Sequence, residues 1–367
     1  MWLVWLTALL LLSRGVYGVD DEPTIRRIPN PLRPNTLTSN QVRELAMSRS
    51  SAARILQAEM QSRAKSVRRN GDACETSVIQ PIQDAIAFRS RQVSAASALK
   101  LHIGIAASQQ AEQLLMRTDE LLELQTRAQE ELIERGIPIP DPLLLERLLK
   151  TTEDKKLENQ SKQTSLRIPL AALIGSEHAC DYVANESESI RPSDVEVCEH
   201  IREALRCRCD VVVMQRLASR ICEETLDCWD NVGATLSGVP VPVKKTYLFA
   251  SLLKARCKQD EIQAAVQARK RWLCVLIEER SKQITMEVEL AFEKKKAAAL
   301  RWVNAREQTA IWEQRIAQLE EMGRVRGNLP EQFEAKLNRL QAESVVIERW
   351  ADWHLADIEL KLAIGCE

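Results

Sequence analysis

Between Ile284 and Leu319, side chains of one kind recur in alternating steps of four and three: Ile284, Val288, Ala291, Lys295, Ala298, Trp302, Ala305, Thr309, Trp312, Ile316 and Leu319. That spacing is the a/d seam of a coiled coil, kept for about five heptads. Gly323, Gly327, Asn328 and Pro330 follow and predict a helix stop with a sharp reversal. The chain beyond them repeats the pattern with Phe333, Leu337, Leu340, Ile347, Ala351 and Ile358. A short connection between long helices makes them antiparallel neighbours, so 259–367 reads as a coiled-coil hairpin. Folding it back sets Cys366 opposite about Glu287.

The same reading applies upstream. Thr38 with Gln41 three positions on is a capping box, and the helix it opens carries Val42, Leu45, Ala52, Leu56 and Met60 on one side up to Asn70-Gly71. A second helix starts around Thr76 to Pro81 and runs to Glu134, where Gly136, Pro138, Pro140 and Pro142 end it. Some 55 residues at 1.5 Å each make a rod of roughly 80 Å. These two helices pair as an N-terminal hairpin over 38–135. Over 136–178, Asp141 and Pro142 open a shorter helix through Leu143, Leu144, Leu148 and Leu149. Its polar continuation, Thr151 to Thr164, reads as a linker, and Leu166 to Ile174, interrupted by Pro169, as a buried turn. Ser193 with Glu196 predicts a helix that carries Cys198 and Cys207 and continues past Leu217. Val232 to Val243, with two Gly and two Pro, is a loop.

The first residues follow a different pattern. Met1 to Leu12 is apolar apart from Thr7, followed by Ser13, Arg14 and the stretch up to Gly18, and then by acidic Asp20, Asp21 and Glu22. A dozen apolar residues are too few to span a ~30 Å hydrocarbon layer, so 1–18 reads as a cleaved signal peptide. Residues 19–37 form a Pro-rich extended N-terminus. No later stretch is long and apolar enough to span a membrane in the mature chain.

Export changes the meaning of the cysteines. There are ten: Cys74, Cys180, Cys198, Cys207, Cys209, Cys222, Cys228, Cys257, Cys274 and Cys366. An even number in an oxidising compartment predicts five disulfides, with 179–258 as a Cys-rich helical subdomain and Cys74 as a partner for Cys366. Cys207 and Cys209 are too close to bridge each other. Paired C-x2-4-C knuckles are lacking, so a zinc site using His178 or His200 is set aside and no metal is expected.

Composition narrows the fold to all-α, with elongated antiparallel helical hairpins and a disulfide-rich subdomain. Aromatic residues are only 4% of the chain, too few for a β-rich protein. Charge is nearly balanced at a net of −1, which gives no basic surplus for nucleic acid. The run Arg63, Lys65, Arg68 and Arg69 reads as a solvated helix end. Carboxylate pairs such as Glu130-Glu131, Glu278-Glu279 and Glu320-Glu321 read as solvated faces in i,i+4 pairs.

Chemistry has little foothold. None of the four His residues (His102, His178, His200, His354) sits in a nucleophile or metalloprotease motif, there is no phosphate-binding loop, and no cofactor is implied. Trp302 and Trp312 fall on the seam as core. Trp350 and Trp353, three positions apart, read as half-exposed candidates for a contact patch. Asn159-Gln160-Ser161 and Asn185-Glu186-Ser187 match the N-glycosylation acceptor.

The function expected is non-enzymatic: an exported structural or interaction protein, specifically an accessory of a cell-envelope secretion or conjugation assembly, with protein partners and room for oligomerisation through the coiled coil. The alternative is a secreted or surface binding protein that presents its Cys-rich subdomain to a receptor, and third a secreted hydrolase. The location expected is periplasmic or extracellular.

Overall fold

The computed structural model describes residues 35–51, 53–59, 61, 78–136, 142–176, 182–184, 196–226, 255–326 and 329–365. The elements in order are β1 (Asn35–Leu37), α1 (Ser39–Arg49), α2 (Gln80–Glu134), α3 (Pro142–Ile174), β2 (Tyr182–Ala184), α4 (Val197–Cys207), α5 (Cys209–Arg220), α6 (Ala255–Arg326) and α7 (Leu329–Ile364). A 3-10 turn, Glu223–Thr225, follows α5. The signal peptide, residues 19–34 of the Pro-rich N-terminus, the 232–243 loop, the basic run after Gln61, Ser193 and the second sequon lie outside the described residues, while the last three residues of that N-terminus form β1.

Four helices stand side by side in the order α3, α2, α7, α6. All neighbours are antiparallel. Lys295 pairs with Asp357 and Glu313 with Arg339 between α6 and α7, while Lys100 pairs with Glu359 and Arg117 with Glu343 between α2 and α7. In the α2/α3 pair, Asp119 meets Lys156, and Ser108 meets Asn159 and Gln163. Continuing the α2/α7 register brings the end of α2 level with the start of α7. Both hairpins therefore reverse at the same end.

The α6 seam is buried as its spacing requires. Ile284, Val288, Ala291, Ala298, Ala305, Ile316 and Leu319 are all buried, and Lys295, Trp302, Thr309 and Trp312 are half-buried between them. At roughly 1.5–3 kcal/mol for each large side chain removed from water, this stripe dominates the hairpin's stability. Lys295 occupies a seam position because it is answered there. Its Nζ lies 2.6 Å from Asp357 and 5.5 Å from the centre of the Trp353 ring.

α2 spans 55 residues with Pro81 in its first turn, where a missing N–H costs nothing, and ends in Arg135 and a left-handed Gly136. The capping box of α1 is formed: Thr38 N–H donates to Gln41 Oε1 at 2.9 Å, and Gln41 N–H to Thr38 Oγ1 at 3.5 Å. α1 does not run on to Asn70-Gly71. Ser50, at φ −52° and ψ 109°, leaves the helical conformation and ends it, although Arg54 N–H still bonds Ser50 O as a new helix begins. Val42 and Ala46 of α1 pack with Ala98 and Ile105 of α2 and with Leu170 and Ile174 of α3. β1 and β2 pair in parallel, Asn35 against Tyr182 and Leu37 against Ala184.

α3 corrects the expected linker and turn. It is one helix over Pro142–Ile174, with Pro169 inside it. Its polar middle is not a solvated tether, because those side chains are satisfied on α2: Asn159 and Gln163 donate to Ser108 O, and Gln163 also donates to Glu112 at 2.8 Å. The Asn159 amide of the first sequon is thereby engaged. Opposite Leu166, Gly104 lets the helices approach, since a Cβ there meets Leu166 Cδ1 at 3.1 Å.

The helix expected to pass through Cys207 and beyond Leu217 is broken. Arg208 is extended, with φ −60° and ψ 122°, and separates α4 from α5. The disulfide-rich helical subdomain is not supported either. Cys198, Cys209, Cys222 and Cys274 carry free thiols, and Cys207 is disulfide-bonded. The break at Arg208 is what sets Cys207 and Cys209 on different helices. Cys74, Cys180, Cys228 and Cys366, and the Cys257 side chain, lie outside the described residues.

Candidate interaction site

Four elements meet at Arg208. Its guanidinium is almost fully buried, and its Nε and Nη2 hold Asp210 at 3.2 and 2.9 Å. Nη1 donates to Glu287 of α6 and, at 3.1 Å, to the Ala363 carbonyl at the end of α7. Arg280 completes the ring, 2.9 Å from Asp210 and 3.1 Å from Glu287. From α2, Arg89 donates to Leu362 O at 2.9 Å and Gln92 to Gly365 O at 2.8 Å. The carbonyls that a helix C-terminus leaves without partners are thus capped by side chains of α2 and of the break between α4 and α5, and the cations face the negative end of the helix dipole.

Titration follows from the crowding. Burial pushes the Asp210 carboxyl up, but Arg208 and Arg280 outweigh it and hold the group below its ordinary range. Burial lowers Arg89, and the Arg208 charge adds to the effect. The Cys209 thiol is pushed up by burial and by Asp210, the reverse of what an activated nucleophile needs. The node is a clamp between helices. Among the described residues, no group of three His, Cys, Asp or Glu side chains is arranged to hold a metal ion.

The expected Trp contact patch is corrected. Trp350 and Trp353 are both buried. Trp350 packs with Ala96, Ile103 and Ala106 of α2, whereas Trp353 packs with Ala298 of α6. The two rings face different neighbours because α7 has a helix on either side. His354 fills the space between them, its ring centre 4.5 Å from Trp350 and 4.8 Å from Trp353.

Exposed apolar side chains lie mainly on three of the long helices: Val93, Met116, Leu124 and Ile133 on α2, Leu143, Leu144, Leu157 and Ile168 on α3, and Val275, Met286, Leu290, Leu300, Val303, Ile311 and Met322 on α6. Steps of 11 or 14 residues are about three and four helical turns, so Val275, Met286, Leu300, Ile311 and Met322 align as one stripe on α6 and Leu143, Leu157 and Ile168 as one on α3. The α6 stripe lies opposite the seam that faces α7. The α3 stripe lies opposite buried Leu145, Thr152, Gln163 and Leu170, which face α2. Nothing in single-helix periodicity marked these positions, because each helix already showed one complete apolar face.

The row of long antiparallel helices decides the comparison with known proteins. The fold is shared with outer membrane channels. The chain is similar to a membrane protein from Pseudomonas aeruginosa, with a TM-score of 0.60 and 12% identity over 89% of this chain and 90% of that one. It is similar to the CmeC outer membrane channel of Campylobacter jejuni, at 0.60 and 10% over 89% and 85%. The outer membrane protein VceC of Vibrio cholerae gives 0.61 and 12% over 89% and 96%. No family description and no curated protein sequence matches the chain. At such identities the likeness is one of fold. Among the described residues, no helix is long and apolar enough to cross a membrane.

Proposed function

We propose that the protein is a non-enzymatic, exported component of a cell-envelope assembly, of the secretion or conjugation type, and that it works by presenting long helical faces to protein partners. The observation that carries this reading is the row of four antiparallel helices with both reversals at one end, an arrangement similar to that of outer membrane channels. The apolar start of the chain and its abrupt acidic continuation support export. The buried side-chain network at Arg208 is spent on holding helices together, which supports contact over catalysis.

The test is N-terminal sequencing of the mature protein, fractionation of the host cell, and affinity isolation after cross-linking in intact cells. A mature chain that begins near Val19, partition with the envelope and recovery of defined protein partners are the expected results. A retained Met1 in the reducing interior overturns the reading.

A further inference from the structure

We infer that the disulfide of Cys207 is closed by Cys366, and that this bond is a redox-sensitive latch holding the end of α7 to the break between α4 and α5. The inference rests on the exported location proposed above, since an oxidising compartment is what keeps such a bond closed. Cys207 is disulfide-bonded, while Cys198, Cys209, Cys222 and Cys274 carry free thiols. The partner is therefore one of Cys74, Cys180, Cys228, Cys257 and Cys366. Distance separates these five.

Gly365 and Arg208 touch. A Cβ built on Gly365 lies 3.6 Å from Arg208 Cα, which puts the two Cα atoms within about 5 Å of each other. Arg208 also donates to Ala363 O at 3.1 Å and Gln92 to Gly365 O at 2.8 Å, so the contact is fastened from two sides. Cys207 and Cys366 are the neighbours of these two residues in sequence, each one step of about 3.8 Å from the contact. A disulfide needs its Cα atoms about 4.4–6.8 Å apart, which is within that reach. The other candidates are distant. Cys257 lies roughly 30 positions before Glu287, the α6 residue that Arg208 binds, and that is about 45 Å of helix. Cys180 precedes β2, whose Ala184 is held by Gln109, about 25 Å along α2 from the Gln92 that holds Gly365. The described residues nearest Cys74 and Cys228 are Val78, packed on Leu217 and Ile221, and Thr225, bonded to Arg220 O. Both sit toward the far end of α5, roughly 15 Å from its start.

Closure joins the two Sγ atoms. Both thiol protons and two electrons pass to a disulfide donor of the compartment, an oxidoreductase or a small-molecule disulfide, which leaves as two thiols. Cys209, two positions from Cys207, is a poor competitor for the bond. Its thiol is pushed up by burial and by Asp210, and the thiolate is the form that exchanges. When the bond is reduced the covalent tie is lost, and the end of α7 rests on the hydrogen bonds from Arg89, Gln92 and Arg208.

The experiment is disulfide mapping by mass spectrometry of the full chain, isolated from the envelope with its thiols blocked, together with hydrogen exchange of the parent and of Cys366→Ser. A linked peptide pair joining Cys207 to Cys366 is expected. Amide exchange in residues 360–364 is expected to rise about tenfold or more when dithiothreitol is added to the parent, and Cys366→Ser to exchange at the faster rate with or without it. Reductant acting on the parent carries the same test should the variant fail to fold. An envelope chain in which Cys207 is bonded to any other cysteine, or in which Cys366 is a free thiol, overturns the pairing and leaves the proposed function standing. Exchange that reductant leaves unchanged overturns the latch. A reduced pair in a chain that retains Met1, with the bond forming on refolding in a glutathione redox buffer, sinks the proposed location and keeps the pairing.

Discussion

Arg208 and Glu287 stand 79 positions apart in the chain and share one ion pair, and the same guanidinium also holds the Ala363 carbonyl. One side chain at a helix break therefore fastens α6 to the far end of α7.

Replacing Arg208 by Leu removes the clamp and leaves Asp210 and the end of α7 facing a space built for a cation. Breaking a buried ionic group by deleting one partner costs about 3–5 kcal/mol. Urea unfolding should show a lower midpoint of that size, and Asp210→Asn should recover little of it, because the α7 carbonyls stay uncapped.

Gly365 is left-handed at φ 73°, and a Cβ there meets Arg208 Cγ at 2.7 Å. Gly365→Ala should cost about 1–2 kcal/mol from strain alone, and more through displacement of Arg208. A double-mutant cycle with Arg208→Leu should be non-additive by at least about 0.5 kcal/mol.

Acid should weaken the fold at two places. Asp357, like Asp210, is pushed up by burial but held below its ordinary value overall, here by its bonds to Lys295 at 2.6 Å and Lys361 at 2.8 Å. A carboxyl depressed in the folded state contributes stability above its unfolded pKa of about 3.9, and that contribution fades as pH falls through the folded value. Melting temperature should therefore drop below about pH 4, and Asp357→Asn should flatten part of that slope.

Ile316→Asp places a carboxylate on the buried α6 seam beside Leu319 and Ala335. Burying an unpaired charge there should cost about 3 kcal/mol or more. Thermal melting followed by circular dichroism checks it, and an unchanged curve would mean that the seam is open to water.

Alkylation without reductant should label Cys198, Cys222 and Cys274, whose residues are exposed, and Cys207 only after reduction. Peptide mass mapping reads the result directly.

The hairpin of α6 and α7 was legible because a heptad pattern states both which face is buried and where the chain turns. It even set the end of α7 opposite Glu287, where Arg208 joins them. What sequence could not state was a second neighbour. Trp350 and Trp353 read as half-exposed because one seam accounts for one partner, while α7 has two. Polarity misled in α3 for the same reason: Asn159 and Gln163 resemble tether residues until Ser108 and Glu112 are set beside them. The Arg208 cluster gathers residues from α2, α5, α6 and the end of α7, and no local spacing predicts that meeting.

Of the four long helices, the one that packs on both α2 and α6 is α7, and it is encoded after both. Its bonds to α2 join residues 259 and 273 positions apart, and contacts of such long range are the slow part of folding.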